Sequence, residues 1–176
     1  MGLTQYYTAT TLDGFIAGPD NSLDWLFTRQ QDRAGALNYD EFFAQVGALA
    51  MGSTTYEWIL EHGNWPYTVP AWVFTHRDLA QVEGAPIQFT SADVASVHAE
   101  LVEAAGDRNV WIVGGGDLAG QFADAGLLDE VIVYIAPVTL GAGAPLLPRR
   151  IELQLEELAR NADFACARYS VVRSPT

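Results

Sequence analysis

Three consecutive glycines are the part of the chain whose spacing most clearly indicates chemistry. Gly114, Gly115 and Gly116 follow the apolar residues 110–113 and precede an amphipathic segment over residues 122–128. A strand, a glycine turn and a helix start present unpaired backbone N–H groups and the positive end of a helix dipole to an anion. Glycine suits such a turn because it carries no Cβ to hold a phosphate away. The stretch predicts a site for a cofactor pyrophosphate; the alternative is a tight connection without a ligand.

Two further apolar runs, residues 48–51 and 71–74, are expected to be buried strands that end in small or polar residues. The residues that follow them are Gly52, Ser53, Thr54 and Thr55 in the first case and Thr75, His76 and Arg77 in the second. In an open α/β sheet, ligands bind beyond the carboxyl ends of the strands. Three such strand ends therefore favour one shared anion site over three coincidences.

The elements that would position these residues can be predicted from hydrophobic periodicity. Strand-like runs alternate with helical patterns as far as residue 135, which predicts an α/β domain with a largely parallel sheet. Residues 93–105 predict a helix, because their apolar residues share one stripe and Gly106 follows. Residues 151–172 predict a terminal hairpin that turns at residues 161–163, although residues 151–158 also fit a helical spacing.

Length and composition limit the class of protein. The 176 residues are expected to form one domain over residues 1–176. The net charge is −13 and all nine basic residues are arginine, so a nucleic-acid or membrane partner is not expected. No apolar run approaches the roughly 20 residues of a membrane span, and no signal peptide is evident, so a cytoplasmic location is expected. The lone Cys166 predicts no internal disulfide. The three histidines have no metal-site spacing, and His62 and His98 are expected to be exposed on helices.

Four segments in order along the chain carry a family resemblance: residues 11–17, 51–57, 113–119 and 136–145. Together they resemble the dihydrofolate reductase superfamily, and within it the group related to the reductase domain of the bifunctional riboflavin-biosynthesis deaminase–reductase. The resemblance implies a dihydrofolate-reductase-like three-layer α/β fold, with a mostly parallel twisted sheet and an antiparallel C-terminal hairpin. It also implies an oxidoreductase that uses NADPH, with NADH as the alternative cofactor, and a homodimer.

The resemblance assigns roles to residues of this chain. Ala9 and Ile16 would offer backbone groups to the nicotinamide carboxamide. The segment from Gly52 to Thr55 would open a helix beneath the pyrophosphate, with the Thr55 hydroxyl on a phosphate. Gly114 and Gly115 would be joined by a cis peptide bond. The remaining residues of the implied cofactor site are Thr75, His76 and Arg77 around the adenosine 2′-phosphate, and Val113, Gly116, Asp117 and Leu118 beside the glycine pair.

Three positions depart from the family pattern: one bears on the cofactor phosphate and two bear on the substrate. Ser53 stands where dihydrofolate reductases usually carry an arginine. Tyr7 and Val113 stand where the riboflavin-pathway enzymes carry a lysine and a glutamate that contact their substrate. The resemblance therefore favours hydride transfer from NADPH to another small heterocyclic or carbonyl substrate. The alternative is a 5-amino-6-(5-phosphoribosylamino)uracil reductase.

Reduction of a C=N or C=O group also needs a proton source. Dihydrofolate reductases use a carboxylate on the first long helix, and the corresponding helix here offers Asp40 and Glu41. Asp40 flanks the apolar stripe and Glu41 points nearly opposite it, so Asp40 is the predicted catalytic residue; the alternative is an ordinary solvated carboxylate. Asp13 and Trp25 are predicted substrate contacts, with turn formation and core packing as their respective alternatives.

Two other classes of protein remain as alternatives. Residues 114–119 fit the pattern G-x-G-x-x-A of Rossmann dehydrogenases. That class is not favoured, because the next strand lacks an acidic residue at its carboxyl end and only about 40 residues follow it. The second alternative is a non-catalytic nucleotide-binding module on the same fold.

Overall fold

A computed structural model describes residues 1–174 of the chain and contains a large sheet with helices on both faces. In chain order, the strands are β1 (Thr4–Thr11), β2 (Phe15–Ala17), β3 (Val46–Gly52), β4 (Ala71–Phe74), β5 (Ile87–Thr90), β6 (Asn109–Gly114), β7 (Glu130–Ala136), β8 (Ala144–Pro145), β9 (Leu153–Asn161) and β10 (Phe164–Val171). The helices are α1 (Asp24–Phe27), α2 (Tyr39–Ala44), α3 (Ser53–Glu61), α4 (Val94–Ala105) and α5 (Gly116–Asp124).

Eight strands form the main sheet in the order β5-β4-β3-β6-β1-β7-β10-β9. The first six are parallel to their neighbours, whereas β10 runs antiparallel to β7 and to β9. The β9–β10 hairpin turns at residues 161–163, where the sequence predicted it. The predicted α/β class, the mostly parallel sheet and the antiparallel C-terminal hairpin are therefore confirmed. The helical alternative for residues 151–158 is wrong.

The core lies in two layers, one on each face of this sheet. Successive residues of a strand point to opposite faces, so Ile112 of β6 packs with Leu101 of α4 and Phe122 of α5. Its neighbour Trp111 packs on the other face with Met51. Helices α4 and α5 cover the first face, and α1, α2 and α3 contribute to the second. The result is the expected three-layer arrangement.

Helix α4 shows how local sequence signals set an element. The Asp93 carboxylate caps its first turn by accepting a hydrogen bond from Ser96 N at 2.9 Å. Gly106 ends the helix with a φ of 64°, a conformation that glycine adopts without strain. The expectation that His98 is exposed is wrong, because the start of β1 packs beside the helix. His98 is half-buried, with Nε2 2.9 Å from Thr4 Oγ1.

Helix α2 is short, with six residues. It begins after Asn38, whose side chain accepts a hydrogen bond from Glu41 N at 2.9 Å, and it ends at Ala44. Over residues 1–174, no helix has the length and apolar character that crossing a membrane requires.

Candidate functional site

A cleft of about 890 Å³ opens at the carboxyl ends of the parallel strands. Its wall combines two of the three strand-end segments that the sequence predicted to meet, residues 52–55 and 114–116, with residues of β1 and β2. The predicted cofactor residues that line it are Ala9, Ile16, Gly52, Ser53, Thr54, Thr55, Val113, Gly114, Gly115, Gly116, Asp117 and Leu118. Parallel pairing of β3 with β6 and of β6 with β1 brings these strand ends together.

Two helix N-termini converge in this cleft, and neither has a side-chain cap. Gly52 is the N-cap of α3 and Gly115 is the N-cap of α5. The backbone N–H groups of residues 53–55 and 116–118 therefore have no partner within their helices, and both helix dipoles present their positive ends to the cleft. This arrangement suits an anion with several oxygen atoms, such as a pyrophosphate.

The glycines leave the space that such an anion needs. A Cβ on Gly52 would come no closer than 3.9 Å to Gly114 O, and a Cβ on Gly115 would lie 3.7 Å from Ile16 Cδ1. The peptide bond between Gly114 and Gly115 is cis, as the resemblance implied. Gly116 has a different role: a Cβ there would collide with the carbonyl oxygens of residues 145 and 146, so glycine lets α5 begin close to β8.

Asp117 lies in the first turn of α5, but its carboxylate already has partners. It accepts hydrogen bonds from Gln121 Nε2 at 2.9 Å and from Arg149 at 3.0 Å, and these bonds lower the pKa of Asp117. The backbone amide of Asp117 is thus the group that can serve a ligand at this helix start.

An aromatic wall lies next to the glycine turns. The Trp111 ring is packed edge-on by Tyr39, with ring centroids 5.8 Å apart, and by Tyr67 at 5.7 Å. Its indole Nε1 donates to Tyr7 O at 3.1 Å, so this buried polar atom is satisfied. Other large apolar or aromatic residues of the wall are Leu23, Leu26, Phe27, Trp58, Ile59, Phe74, Tyr134 and Phe164. A flat, dry surface of this kind suits a planar heterocycle.

The tyrosine hydroxyls of the wall fall into two groups. Tyr7 and Tyr134 donate to backbone carbonyl oxygens at 3.0 and 2.8 Å. Within residues 1–174, the hydroxyls of Tyr39 and Tyr67 have no hydrogen-bond partner. Burial raises the pKa of Tyr39 to about 12 and also raises the pKa of Tyr67, so both phenols stay protonated near neutral pH. They are available proton and hydrogen-bond donors.

The structure does not bring the predicted proton donor Asp40 to the cleft. Its carboxylate is more than half exposed and pairs with the exposed Arg33 at 3.4 Å. The preceding residue, Tyr39, lines the cleft instead. Because consecutive residues of a helix point about 100° apart, Asp40 is directed elsewhere.

The two predicted substrate contacts also lie outside the cleft lining. Asp13 accepts hydrogen bonds from Thr11 Oγ1 at 2.6 Å and from the amides of Leu140 and Gly141, at 3.1 and 2.7 Å to the nearer carboxylate oxygen. It therefore ties two loops together, and these bonds lower its pKa. Trp25 is buried in the core beneath α1. For both residues the structure shows the alternative role that the sequence left open.

The residues proposed for a 2′-phosphate lie just beyond the cleft. Phe74, the last residue of β4, lines it, but Thr75, His76 and Arg77 do not. Arg77 forms two hydrogen bonds with Glu57, at 3.0 and 2.8 Å. The pair raises the pKa of Arg77 and lowers that of Glu57. Any 2′-phosphate at this position would compete with Glu57 for the guanidinium.

Sequence reasoning missed several residues of the cleft. Arg29, Gln31, Tyr39, Trp58 and Tyr67 all line it. The sequence signal that marks them is weak, because they lie in loops or on short helices whose position depends on tertiary contacts. In residues 1–174, no group of three histidine, cysteine or acidic side chains is arranged to hold a metal ion.

Comparisons with known proteins find relatives among riboflavin-biosynthesis proteins. Residues 53–163 match the family model described as the RibD C-terminal domain. The uncharacterized protein YwjB of Bacillus subtilis is 30% identical over 150 residues, which is 81% of each chain. The riboflavin biosynthesis protein RibD of Corynebacterium ammoniagenes is 28% identical over 148 residues, which is 79% of this chain but 44% of that RibD.

Solved structures confirm the dihydrofolate-reductase-like fold. A protein of Shewanella sp. PV-4 that has been assigned to riboflavin biosynthesis superposes with a TM-score of 0.82 at 24% identity, over 97% of this chain and 99% of the other. Dihydrofolate reductase of Enterococcus faecalis, solved with NADP(H), superposes with a TM-score of 0.58 at 16% identity, over 96% of both chains.

Proposed function

The chain belongs to the RibD C-terminal domain family, and from this premise we propose that it is a reductase. It transfers a hydride from a reduced nicotinamide dinucleotide, NADPH or NADH, to a small heterocyclic or carbonyl substrate. The observation that carries the proposal is the meeting of two uncapped helix N-termini and an aromatic wall in one cleft. The Enterococcus faecalis reductase, which has the same fold, binds NADP(H).

Backbone amides would hold the cofactor in place of lysines. The N–H groups of residues 53–55 and 116–118, with the Thr55 hydroxyl, would bind the pyrophosphate. Backbone groups of Ala9 and Ile16 line the cleft where the nicotinamide would lie. The bound dinucleotide supplies the hydride. Amides suit this chain because it carries no lysine, and its net charge of −13 would repel a phosphate at long range.

A phenol is the proposed proton source. Asp117 is the one carboxylate among the described residues that line the cleft, and its oxygens are bonded to Arg149 and Gln121. Tyr39 and Tyr67 line the same cleft, and their hydroxyls have no hydrogen-bond partner among residues 1–174. Both phenols are protonated near neutral pH, so either one can hydrogen-bond the nitrogen or oxygen atom of the substrate and transfer its proton as negative charge develops there. The raised pKa makes each phenol a weak acid, so the transfer depends on that developing charge.

Two candidate substrates can be compared for this reductase. The alternative substrate is 5-amino-6-(5-phosphoribosylamino)uracil, which is the substrate named for a similar reductase of Thermotoga maritima. Against it, Tyr7 replaces the lysine that the family resemblance places in β1, and its hydroxyl donates to Leu37 O. Val113 likewise replaces a glutamate. A different heterocyclic or carbonyl substrate is therefore the proposed one.

Cofactor binding is tested by titrating the protein with NADPH and with NADH while following tryptophan fluorescence. Trp58 and Trp111 line the cleft, so both should report binding. Saturable quenching by at least one dinucleotide is expected. If calorimetry and fluorescence detect neither dinucleotide, the reductase proposal fails.

Turnover is tested with a panel of carbonyl, quinone, pterin and phosphoribosylaminouracil substrates by following oxidation of the cofactor. The double variant Tyr39→Phe, Tyr67→Phe should lower kcat by roughly 10²-fold, the lower range for a positioned general acid, without weakening cofactor binding. Tyr169→Phe, outside the cleft on β10, is the matched control. Binding without turnover of any substrate would instead identify a nucleotide-binding module.

A further inference from the structure

Arg29 is a cationic side chain in the cleft wall that has no counter-ion among residues 1–174. It is half-buried, and its Nε is fully buried without a hydrogen-bond partner among residues 1–174. Within that range, no carboxylate oxygen lies within ion-pair distance of its guanidinium. Six other arginines each pair with at least one carboxylate: Arg33, Arg77, Arg149, Arg150, Arg168 and Arg173.

The backbone around Arg29 is fixed by the turn of the C-terminal hairpin. Gln30 N donates to the Asp163 carboxylate at 2.6 Å, and Asp163 N donates to Gln30 O at 3.2 Å. The buried Asn161 side chain accepts from Asp32 N at 2.8 Å and donates to Asp32 O at 3.0 Å. Arg29 and Gln31, on either side of the hydrogen-bonded Gln30, both line the cleft.

These hydrogen bonds between residues 30–32 and the hairpin turn lie on the side of the cleft opposite the glycine turns. The hairpin turn lies at the carboxyl ends of the parallel strands, because Ala165 of β10 pairs with Ile135 near the end of β7. The order β6-β1-β7-β10 places three strand spacings, roughly 14 Å, between β6 and β10. The loop that carries Arg29 is therefore anchored far from the two helix N-termini that would hold the dinucleotide phosphates.

Arg29 leaves one buried N–H, at Nε, without an acceptor, while its terminal nitrogens, which have no partner among residues 1–174, can meet an acceptor that enters the cleft. Burying an unsatisfied N–H group costs free energy, more so for a charged group. Arginine presents a planar fork of donors that matches a carboxylate or a phosphate, and such charge-assisted bonds are strong. In a chain with 22 acidic residues, a cleft arginine without a carboxylate partner points to a ligand that brings its own negative charge.

We infer that Arg29, with Gln31 beside it, binds an acidic group of the hydride acceptor, either a carboxylate or a phosphate. The inference rests on the proposed function, because it names the chemistry of the molecule to be reduced. An acceptor held in this way has its acidic group at the hairpin side of the cleft and its planar part on the aromatic wall near Tyr39 and Trp111.

The test uses calorimetry on the full chain without cofactor and two matched pairs of probes. Benzoate is compared with benzamide, and ribose 5-phosphate with ribose. In the wild-type protein, the anionic member of at least one pair should bind about tenfold more tightly than its neutral partner, which corresponds to about 1.4 kcal/mol. Arg29→Gln should abolish that preference. Arg150→Gln, an exposed arginine paired with Glu152, should keep it.

The pair that shows the preference identifies the acidic group as a carboxylate or a phosphate. Equal binding of anionic and neutral probes in both pairs, or an unchanged preference in Arg29→Gln, would overturn the inference. If Arg29→Gln does not fold, Arg29→Lys replaces it: the variant keeps the charge but loses the planar fork, so it must weaken the preference while neutral probes bind as before.

The inference and the reductase proposal can fail separately. A protein that binds NADPH but shows no preference for anionic probes refutes the Arg29 subsite alone. A protein that prefers the anionic probes but binds neither dinucleotide refutes the reductase alone.

Discussion

The ion pair between Arg77 and Glu57 bears on which dinucleotide this protein prefers. Glu57 holds both terminal nitrogens of the guanidinium, so the positive charge beyond β4 is already compensated. An adenosine 2′-phosphate would have to displace Glu57, whereas NADH has no such group. Arg77→Gln should therefore weaken the binding of NADPH by up to about tenfold, or 1.4 kcal/mol, and leave the binding of NADH nearly unchanged.

The variant Glu57→Gln provides the opposite test, because it frees the guanidinium. NADPH should bind more tightly to this variant and NADH as before, in fluorescence titrations at one salt concentration. Equal changes in both dissociation constants, in either variant, would remove Arg77 from the 2′-phosphate site.

His98 gives a prediction for the dependence of stability on pH. Burial lowers the pKa of His98 below its usual value, and the charge of Asp129 opposes this only in part. The fold therefore favours the neutral ring, so the contribution of His98 is present above the unfolded pKa of about 6.5 and is lost as pH falls through the lower folded pKa. The urea concentration at the midpoint of unfolding should decrease as the pH is lowered from about 7 to about 5. The decrease should be less steep in His98→Gln. His76→Gln, in an exposed loop, should keep the wild-type slope; if His98→Gln keeps it too, the assignment is wrong.

At the scale of elements, the helices and strands that could be predicted are those whose caps, apolar patterns and turns lie within one short segment of the sequence. Helix α4 has its Asp93 cap, its apolar stripe and Gly106 in one continuous segment. The C-terminal hairpin was predicted from its turn and the segments beside it, although the segment before the turn also fitted a helical spacing. The β2–β8 ribbon could not be predicted, since its strands have only three and two residues.

The residues of the candidate site also differ in whether the sequence could reveal them. The glycine turns could be found because strand ends and helix starts are local features. Arg29 could not, because the loop that carries it is held by Asn161 and Asp163, more than 120 residues away in the chain. That Tyr39 and not Asp40 lines the cleft also depends on tertiary contacts, because periodicity places Tyr39 on the apolar stripe of α2 but does not show that this stripe faces the cleft.

The uncapped start of α3 predicts a conflict between stability and binding. Gly52 has an extended backbone, with φ −83° and ψ 170°, that any residue adopts, and a Cβ there has room. In Gly52→Asp, the carboxylate should cap the free amides and add a few tenths of a kcal/mol to the free energy of unfolding. The same carboxylate should repel a pyrophosphate, so dinucleotide binding should fall by at least tenfold while the melting temperature holds or rises. Gly52→Ala, which adds no charge and no cap, is the control. Undiminished binding in Gly52→Asp would contradict the proposed phosphate site.

At the scale of the whole molecule, the outer strand of the sheet predicts how copies of the chain associate. Among residues 1–174, β9 pairs only with β10, so its other edge offers unpaired backbone groups. It also exposes Leu155 by 51% and Leu158 by 69%, and exposed leucines on an edge strand are typical of a surface that another chain covers. The homodimer implied by the family resemblance thus has a specific candidate interface.

Light scattering after size exclusion should give about twice the 19.1 kDa of one chain for the wild type and the mass of one chain for the double variant Leu155→Glu, Leu158→Glu. Leu12→Glu, at a position also 69% exposed but far from this edge, should leave the larger mass unchanged. A wild-type protein that stays monomeric at high micromolar concentration would show that β9 is not an interface, because an edge strand with this exposed apolar area should associate well below that concentration.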